Sequence, residues 1–156
     1  MLPGGGVEED ALLAIGAPSR RTLLVEPPRV IYRGREIVGR RWYVDNIDGS
    51  IEPATFADVL GALEQFVADV GDRWRAPVLV GAGQGGELCL ALAVLMPEAL
   101  AGVVAVDAAV PQVQGWRYPE RRAHSLPILL IGPEHHDSVR RLERLGAAVT
   151  ARAGLS

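Results

Sequence analysis

Three short runs without a charged or polar residue set what this chain can fold into: Pro77-Val-Leu-Val80, Gly102-Val-Val-Ala-Val106 and Pro127-Ile-Leu-Leu-Ile131. A run that is apolar at every position, rather than at alternate ones, reads as a strand covered on both faces, the pattern of parallel sheets. The intervals between them carry helical spacing. Phe56, Val59, Leu60, Leu63, Phe66, Val67 and Val70 recur at i, i+3, i+4 and i+7, which predicts one buried helix face over 56–70. Thr55 with Asp58 makes a capping-box-like start and Gly71 a stop. Glu87 to Met96 reads as a second helix ended by Pro97, and Val139, Leu142 and Leu145 line a third. Val7 to Ile15, acidic at Glu8, Glu9 and Asp10, predicts a short opening helix. Arg21-Thr-Leu-Leu-Val25, stopped by Pro27-Pro28, predicts a further buried strand, and Ala147 to Ala151 a last one. Val30 to Val44 fits either a hairpin or an irregular excursion. Strands alternating with helices give an α/β protein: a mainly parallel sheet of about five strands with helices on both faces, in one domain over 1–156.

Composition excludes several kinds of chemistry. All sixteen basic residues are arginine, so there is no catalytic lysine, no Schiff base and no lysine-bearing P-loop. A net charge of −3 gives no basic excess for a phosphate backbone, which argues against nucleic acid as a partner. The single Cys89 can build neither an internal disulfide nor a cysteine zinc cluster. The longest apolar run, Leu88 to Met96, has nine residues, too few for a membrane span, and the opening residues lack the pattern of a signal peptide. The expectation is a soluble cytoplasmic protein without a cofactor.

The sequence concentrates function at Gly81-Ala-Gly-Gln-Gly-Gly86, which directly follows one predicted strand and precedes a helix. Ligands of parallel sheets bind at the carboxyl ends of the strands, where a helix N-terminus offers free N–H groups. A purely structural turn packing helix on sheet would also use these glycines. Two functional readings compete with it. Gly81, Gly83 and Gly86 fit G-x-G-x-x-G, and Asp107 ends the next strand about 20 residues on, where a ribose-binding acid belongs. That arrangement looks like a dinucleotide-binding or S-adenosylmethionine-binding domain.

The second reading covers more of the chain. Val78-Leu-Val-Gly-Ala-Gly-Gln-Gly-Gly86, followed by Leu90-Ala-Leu-Ala93 and Met96-Pro-Glu-Ala-Leu-Ala-Gly-Val-Val-Ala105, resembles the phospholipase/carboxylesterase branch of the α/β-hydrolase superfamily. Trp42-Tyr-Val-Asp45, Ile51-Glu-Pro-Ala-Thr-Phe56, Leu2-Pro-Gly-Gly-Gly6 and Leu126-Pro-Ile-Leu-Leu-Ile-Gly132 resemble further segments of that family, in the family's order. The resemblance implies a carboxylic-ester hydrolase whose elbow glycines are Gly81, Gly83, Gly85 and Gly86. It also implies an oxyanion hole built from backbone N–H groups near Gly5 and Gln84. The family's strand leading into the Leu2–Gly6 segment would lie between the strands at 21–25 and 77–80. That place must be closed up by those strands, filled by a second chain, or filled by residues upstream of Met1.

The catalytic side chains do not follow. Gly83 occupies the position of the family's serine, and none of Ser19, Ser50, Ser125, Ser138 or Ser156 sits in a comparable glycine corner. Cys89 lies among leucines and alanines and reads as a core residue. Glu134 or Asp137 would have to supply the triad acid, though the best family register puts His135 there, and no histidine follows His136. His124, His135 and His136 with Glu134 and Asp137 lack a metal-site spacing. The pairs Arg40-Arg41 and Arg121-Arg122 read most simply as solvated surface or partners of carboxylates, with an anionic ligand as the alternative at either pair. The sequence therefore predicts a degenerate hydrolase that binds a small ester, acyl or anionic ligand, or a partner chain, as a dimer or complex that covers the open sheet.

Overall fold

Each of the three apolar runs forms a strand of one parallel sheet in the computed structural model, which describes residues 21–132 and 136–153. The elements in chain order are β1 (Arg29–Arg33), β2 (Glu36–Arg41), α1 (Pro53–Arg73), β3 (Val78–Ala82), α2 (Gln84–Leu95), β4 (Gly102–Val106), β5 (Pro127–Ile131), α3 (His136–Arg144) and β6 (Ala148–Arg152). A single 3₁₀ turn over Pro97–Ala99 joins α2 to β4. Strands β3-β4-β5-β6 lie side by side in chain order, all parallel. Ala82 pairs with Val106, Val106 with Ile131 and Ile131 with Arg152, so the loops that follow these strands open at one end of the sheet. Strands β1 and β2 form a separate antiparallel hairpin, the first of the two alternatives for 30–44, with a register shift between Ile31 and Tyr32.

One predicted strand is absent. Residues 21–25 run as irregular chain, with Leu23 and Leu24 exposed, and the described sheet has four strands rather than five, ending at β3. An apolar run becomes a strand only when a neighbouring edge accepts its backbone groups. Val25 packs against the core, and Arg21 lies over the Trp74 ring at 5.7 Å. Residues 21–25 therefore do not close up on β3 as a strand. The predicted helix at Val7 to Ile15 lies outside the described residues.

Helix α2 is the centre of the core. Leu88, Cys89, Leu90, Ala91, Leu92, Ala93 and Val94 are all buried to within 1 % of full burial. A helix apolar on every side needs cover on every side. Strands β3 and β4, α1 and the loop between β4 and β5 supply it. Helix α1 presents Phe56, Val59, Leu60, Leu63 and Val67 to this core. Its face is narrower than the spacing predicts, because Phe66 remains 38 % exposed. Its start also differs: Glu52 is the N-cap and accepts from the amides of Ala54 at 3.0 Å and Thr55 at 2.7 Å. Thr55 Oγ1 instead accepts from Val44 N at 3.0 Å, and the helix continues through Gly71 to Arg73. Among the described residues no helix is long and apolar enough to cross a membrane.

Candidate functional site

The end of β3 turns into α2 within a single residue, Gly83, at φ 50° and ψ −127°. Only glycine takes this conformation without strain, which for another residue costs of order 1–3 kcal/mol. The turn is fastened on both sides: Gly83 N donates to Val106 O at 2.9 Å, and Glu87 N donates to Gly83 O at 2.9 Å. Its neighbours are glycines for a different reason, the closeness of strand and helix. A Cβ at Gly81 would stand 2.5 Å from Gly85 C and O, and one at Gly86 would stand 2.6 Å from Ala108 Cβ. Gly85 is buried against this contact. The loop thus has the sharp strand-to-helix corner that exposes a nucleophile in hydrolases, with a hydrogen atom in place of the side chain.

Three bonds grip the first turn of α2 to the segment after β2. Trp42 N donates to Gln84 Oε1 at 3.0 Å, and Gln84 Nε2 donates to Tyr43 O at 3.2 Å. The Tyr43 hydroxyl donates to Glu87 Oε2. Gln84 and Glu87 are three residues apart and so lie on one side of the helix. As the first residue of α2, Gln84 also has a backbone N–H with no acceptor inside the helix. Burial pushes the Glu87 carboxyl up to about 7. Rings extend from Tyr43: Phe56 at 5.1 Å, Trp116 at 5.5 Å from Phe56, and Tyr118 stacked on Trp116 at 5.5 Å. The Tyr118 hydroxyl is buried and has no hydrogen-bond partner among the described residues.

The remaining predicted residues are dispersed. Asp107 follows β4 at the same end of the sheet as Gly83; it is exposed, at φ 48°, with its amide donating to Ile131 O at 2.8 Å. His124 and Ser125 precede β5, at the opposite end of the parallel sheet from the elbow. Ser138 in α3 is buried, and its Oγ accepts from Val110 N at 3.0 Å. Ser50 donates to Asp48 Oδ1 at 2.6 Å in an exposed turn. Cys89 is fully buried, which pushes its thiol up to about 12. Asp137 and His136 open α3 on the elbow end. Gly5, Ser19, Glu134, His135 and Ser156 lie outside the described residues. Among the described residues no group of three metal-ligating side chains comes together. One arginine of each pair meets a carboxylate: Arg40 lies 3.8 Å from Glu26 and Arg121 2.5 Å from Glu98.

Sequence reasoning passed over Glu87, Tyr43 and Tyr118 as site residues. A signal for Glu87 was present: it is the one charged residue between Gly85 and Met96, in a helix otherwise without one. Its tyrosine partner, Tyr43, is 44 positions away and could not be paired with it from spacing.

No known family's sequence profile matches the chain, and no characterised protein matches it by sequence. Solved structures do. The Bacillus cereus carboxylesterase superposes with a TM-score of 0.77 at 19% identity, over 98% of this chain and 76% of that one. The Mesorhizobium loti carboxylesterase gives 0.74 at 22% identity, over 99% and 78%. A phospholipase/carboxylesterase from Dyadobacter fermentans gives 0.58 at 18% identity, over 73% and 62%. With the parallel sheet and the glycine corner between β3 and α2, these likenesses give the chain the α/β-hydrolase fold.

Proposed function

We propose that this chain is a catalytically silent α/β-hydrolase-fold protein of the carboxylesterase/phospholipase type. Its elbow binds a small ester, acyl or carboxylate group instead of cleaving it. The observation that carries the reading is the corner at Gly83, whose backbone is bent as a nucleophile elbow but bears no attacking atom. The N–H of Gln84 supplies one donor for an oxyanion or carboxylate, and Gly5 is the expected second donor. Two further facts support silence. Ser125 and His124 stand at the far end of the sheet, and Ser138 is committed to a buried backbone bond. The proposal extends to a partner chain or second copy beside β3, supported by the terminal position of that strand in the described sheet.

The test combines a covalent probe with binding. A fluorophosphonate reagent should leave no adduct, p-nitrophenyl butyrate should show no saturable turnover, and butyrate should raise the melting temperature. Gln84→Pro should remove the butyrate effect, since proline is tolerated at the first helical position but lacks the N–H. Gln84→Ala, which keeps the N–H and loses only the side-chain clamp, is the control that should retain it. Saturable turnover by the unmodified chain would overturn the silent reading.

A second reading, a nucleotide or S-adenosylmethionine site, is favoured by one observation. Gly81–Gly86 and Asp107 follow adjacent strands at the same sheet end, as a ribose-binding acid requires. Against it, dinucleotides bind where strand order reverses, and β3-β4-β5-β6 runs without reversal. Thermal shift with NAD and with S-adenosylmethionine, compared in wild type and Asp107→Ala, separates the two: a wild-type shift lost in the variant favours the nucleotide.

A further inference from the structure

The β1–β2 hairpin differs from the rest of the molecule in charge. Residues 29–41 hold five arginines and one glutamate, a net +4, in a chain whose net charge is −3, which leaves −7 for the remainder. Its two strands pack chiefly on each other, and every residue from Tyr32 to Val38 is exposed. That stretch carries three large apolar side chains: Tyr32 at 64 %, Ile37 at 63 % and Val38 at 48 % exposure. Tyr32 and Ile37 are partners across the ladder and so share one face, and Val38 is the residue left unpaired by the register shift. Between them the chain turns through Arg33-Gly34-Arg35, with Gly34 at φ 64°. Arg33, Arg35 and Arg41 make no ion pair among the described residues. Arg29 and Arg40 each lie 3.8 Å from a carboxylate, Asp58 and Glu26.

Apolar side chains beside unpaired guanidiniums at an exposed tip call for a partner that is both anionic and apolar. Addition of a further strand is opposed by the bulge and by the charged side chains along the ribbon. A protein surface is opposed by size: a stable interface takes about 20–30 residues a side, and the exposed tip spans only 32–38. A lipid surface sets no such minimum, since a few apolar side chains enter the headgroup boundary while guanidiniums hold phosphates. We propose that the hairpin tip docks this protein on an anionic lipid surface, with Tyr32, Ile37 and Val38 among the headgroups and Arg33 and Arg35 on their phosphates. The acidic remainder is repelled by the same surface, so the ribbon leads. The ribbon is also tied to the elbow. Arg29 Nη1 donates to Trp42 O at 2.6 Å, and Trp42 and Tyr43 grip the first turn of α2. Docking therefore holds the elbow helix at a fixed attitude to the lipid.

The test is flotation of the full chain with phosphatidylcholine vesicles, with and without about one-third phosphatidylglycerol, at about 0.05 M salt. The chain should float with the anionic vesicles and not with the neutral ones. Arg33→Glu with Arg35→Glu should lower the bound fraction about tenfold or more, each arginine near such a surface being worth about fivefold. Tyr32→Ser with Ile37→Ser, which keeps every charge, should lower it several-fold. Both pairs are exposed and should leave the circular dichroism unchanged. Were either to misfold, wild type decides: its binding should fall about tenfold or more by about 0.5 M salt. Equal flotation with neutral vesicles, no flotation, or either pair floating as wild type does would overturn the proposal. Retention on polyglutamate or duplex DNA without vesicle binding would overturn it in favour of an acidic macromolecule. A dimer lost in the Arg33, Arg35 pair, without vesicle binding by wild type, would overturn it in favour of a second copy. Excess butyrate should leave flotation unchanged; displacement by butyrate would assign the lipid to the elbow instead. Failure of the hairpin proposal and failure of the elbow reading are thus told apart.

Discussion

At the scale of single residues, the two informative positions of the elbow pull in opposite directions. Gly83 spends no energy on its bent backbone, whereas a serine there would pay about 1–3 kcal/mol in strain. Gly83→Ser should therefore lower stability by about that amount in a urea melt, and it should still fail to hydrolyse p-nitrophenyl esters saturably. A hydroxyl without a base has no route for its proton, and catalytic groups of this kind act as a unit. Glu87 carries a penalty that depends on pH. Its carboxyl rises from 4.5 when unfolded to about 7 when folded, so the folded chain holds the proton more tightly. Stability is then fullest below about 4.5 and falls as pH climbs to about 7, by about 3 kcal/mol at most. Glu87→Gln should flatten that descent in urea melts between pH 5 and 8, leaving the variant the more stable form at the upper end.

At the scale of elements, legibility followed the reach of the interactions. Strands β4 and β5 are where the apolar runs place them, because from Gly102 to Val106 and from Ile128 to Ile131 every residue is buried or half-buried. The run at 21–25 has three apolar residues behind Arg21 and Thr22, but a strand is a relation between two edges, and its neighbour is not in its own sequence. Helix α1 has the predicted core face, yet its start was misread, because Thr55 is drawn off to Val44 and Glu52 caps in its place. Either side chain can cap a helix; the choice depended on a loop eleven residues earlier. Glu52→Ala should speed hydrogen exchange at Ala54 and Thr55 by roughly tenfold, the scale of one lost cap, while leaving β4 and β5 amides unchanged. The Glu52 carboxyl is held below its usual range by the Thr55 and Ala54 amides, so this cap weakens as pH falls through the acid range. In the candidate site, the glycine pattern was legible because backbone geometry is written locally. The Tyr43–Glu87 bond was not, since it joins the segment after β2 to a helix 44 positions on.

At the scale of the whole molecule, the hydrolase fold is carried by a sheet that, among the described residues, ends at the very strand leading into the elbow. Leu79 and Val80 of β3 are half-buried and Val78 is 46 % exposed, while β4 and β5 are largely covered. An edge of this kind, without a charged residue or proline within β3, is a template for a neighbouring strand. Light scattering at low micromolar concentration should accordingly show a dimer, and Val80→Lys should shift it to monomer without unfolding it. A dimer unaffected by that charge would place the contact elsewhere. The single thiol of the chain lies at the opposite extreme, 0 % exposed at the middle of α2, with sheet, helix and loop around it. A reagent can reach Cys89 only when those layers part together, so its alkylation is a stopwatch on cooperative opening. Labelling with a small disulfide reagent should be negligible in native buffer. It should then rise with urea along the same curve as the loss of circular dichroism. Should the sulfur react well before the spectrum changes, α2 would be opening on its own, and the elbow would belong to a part of the molecule that breathes independently of the sheet behind it.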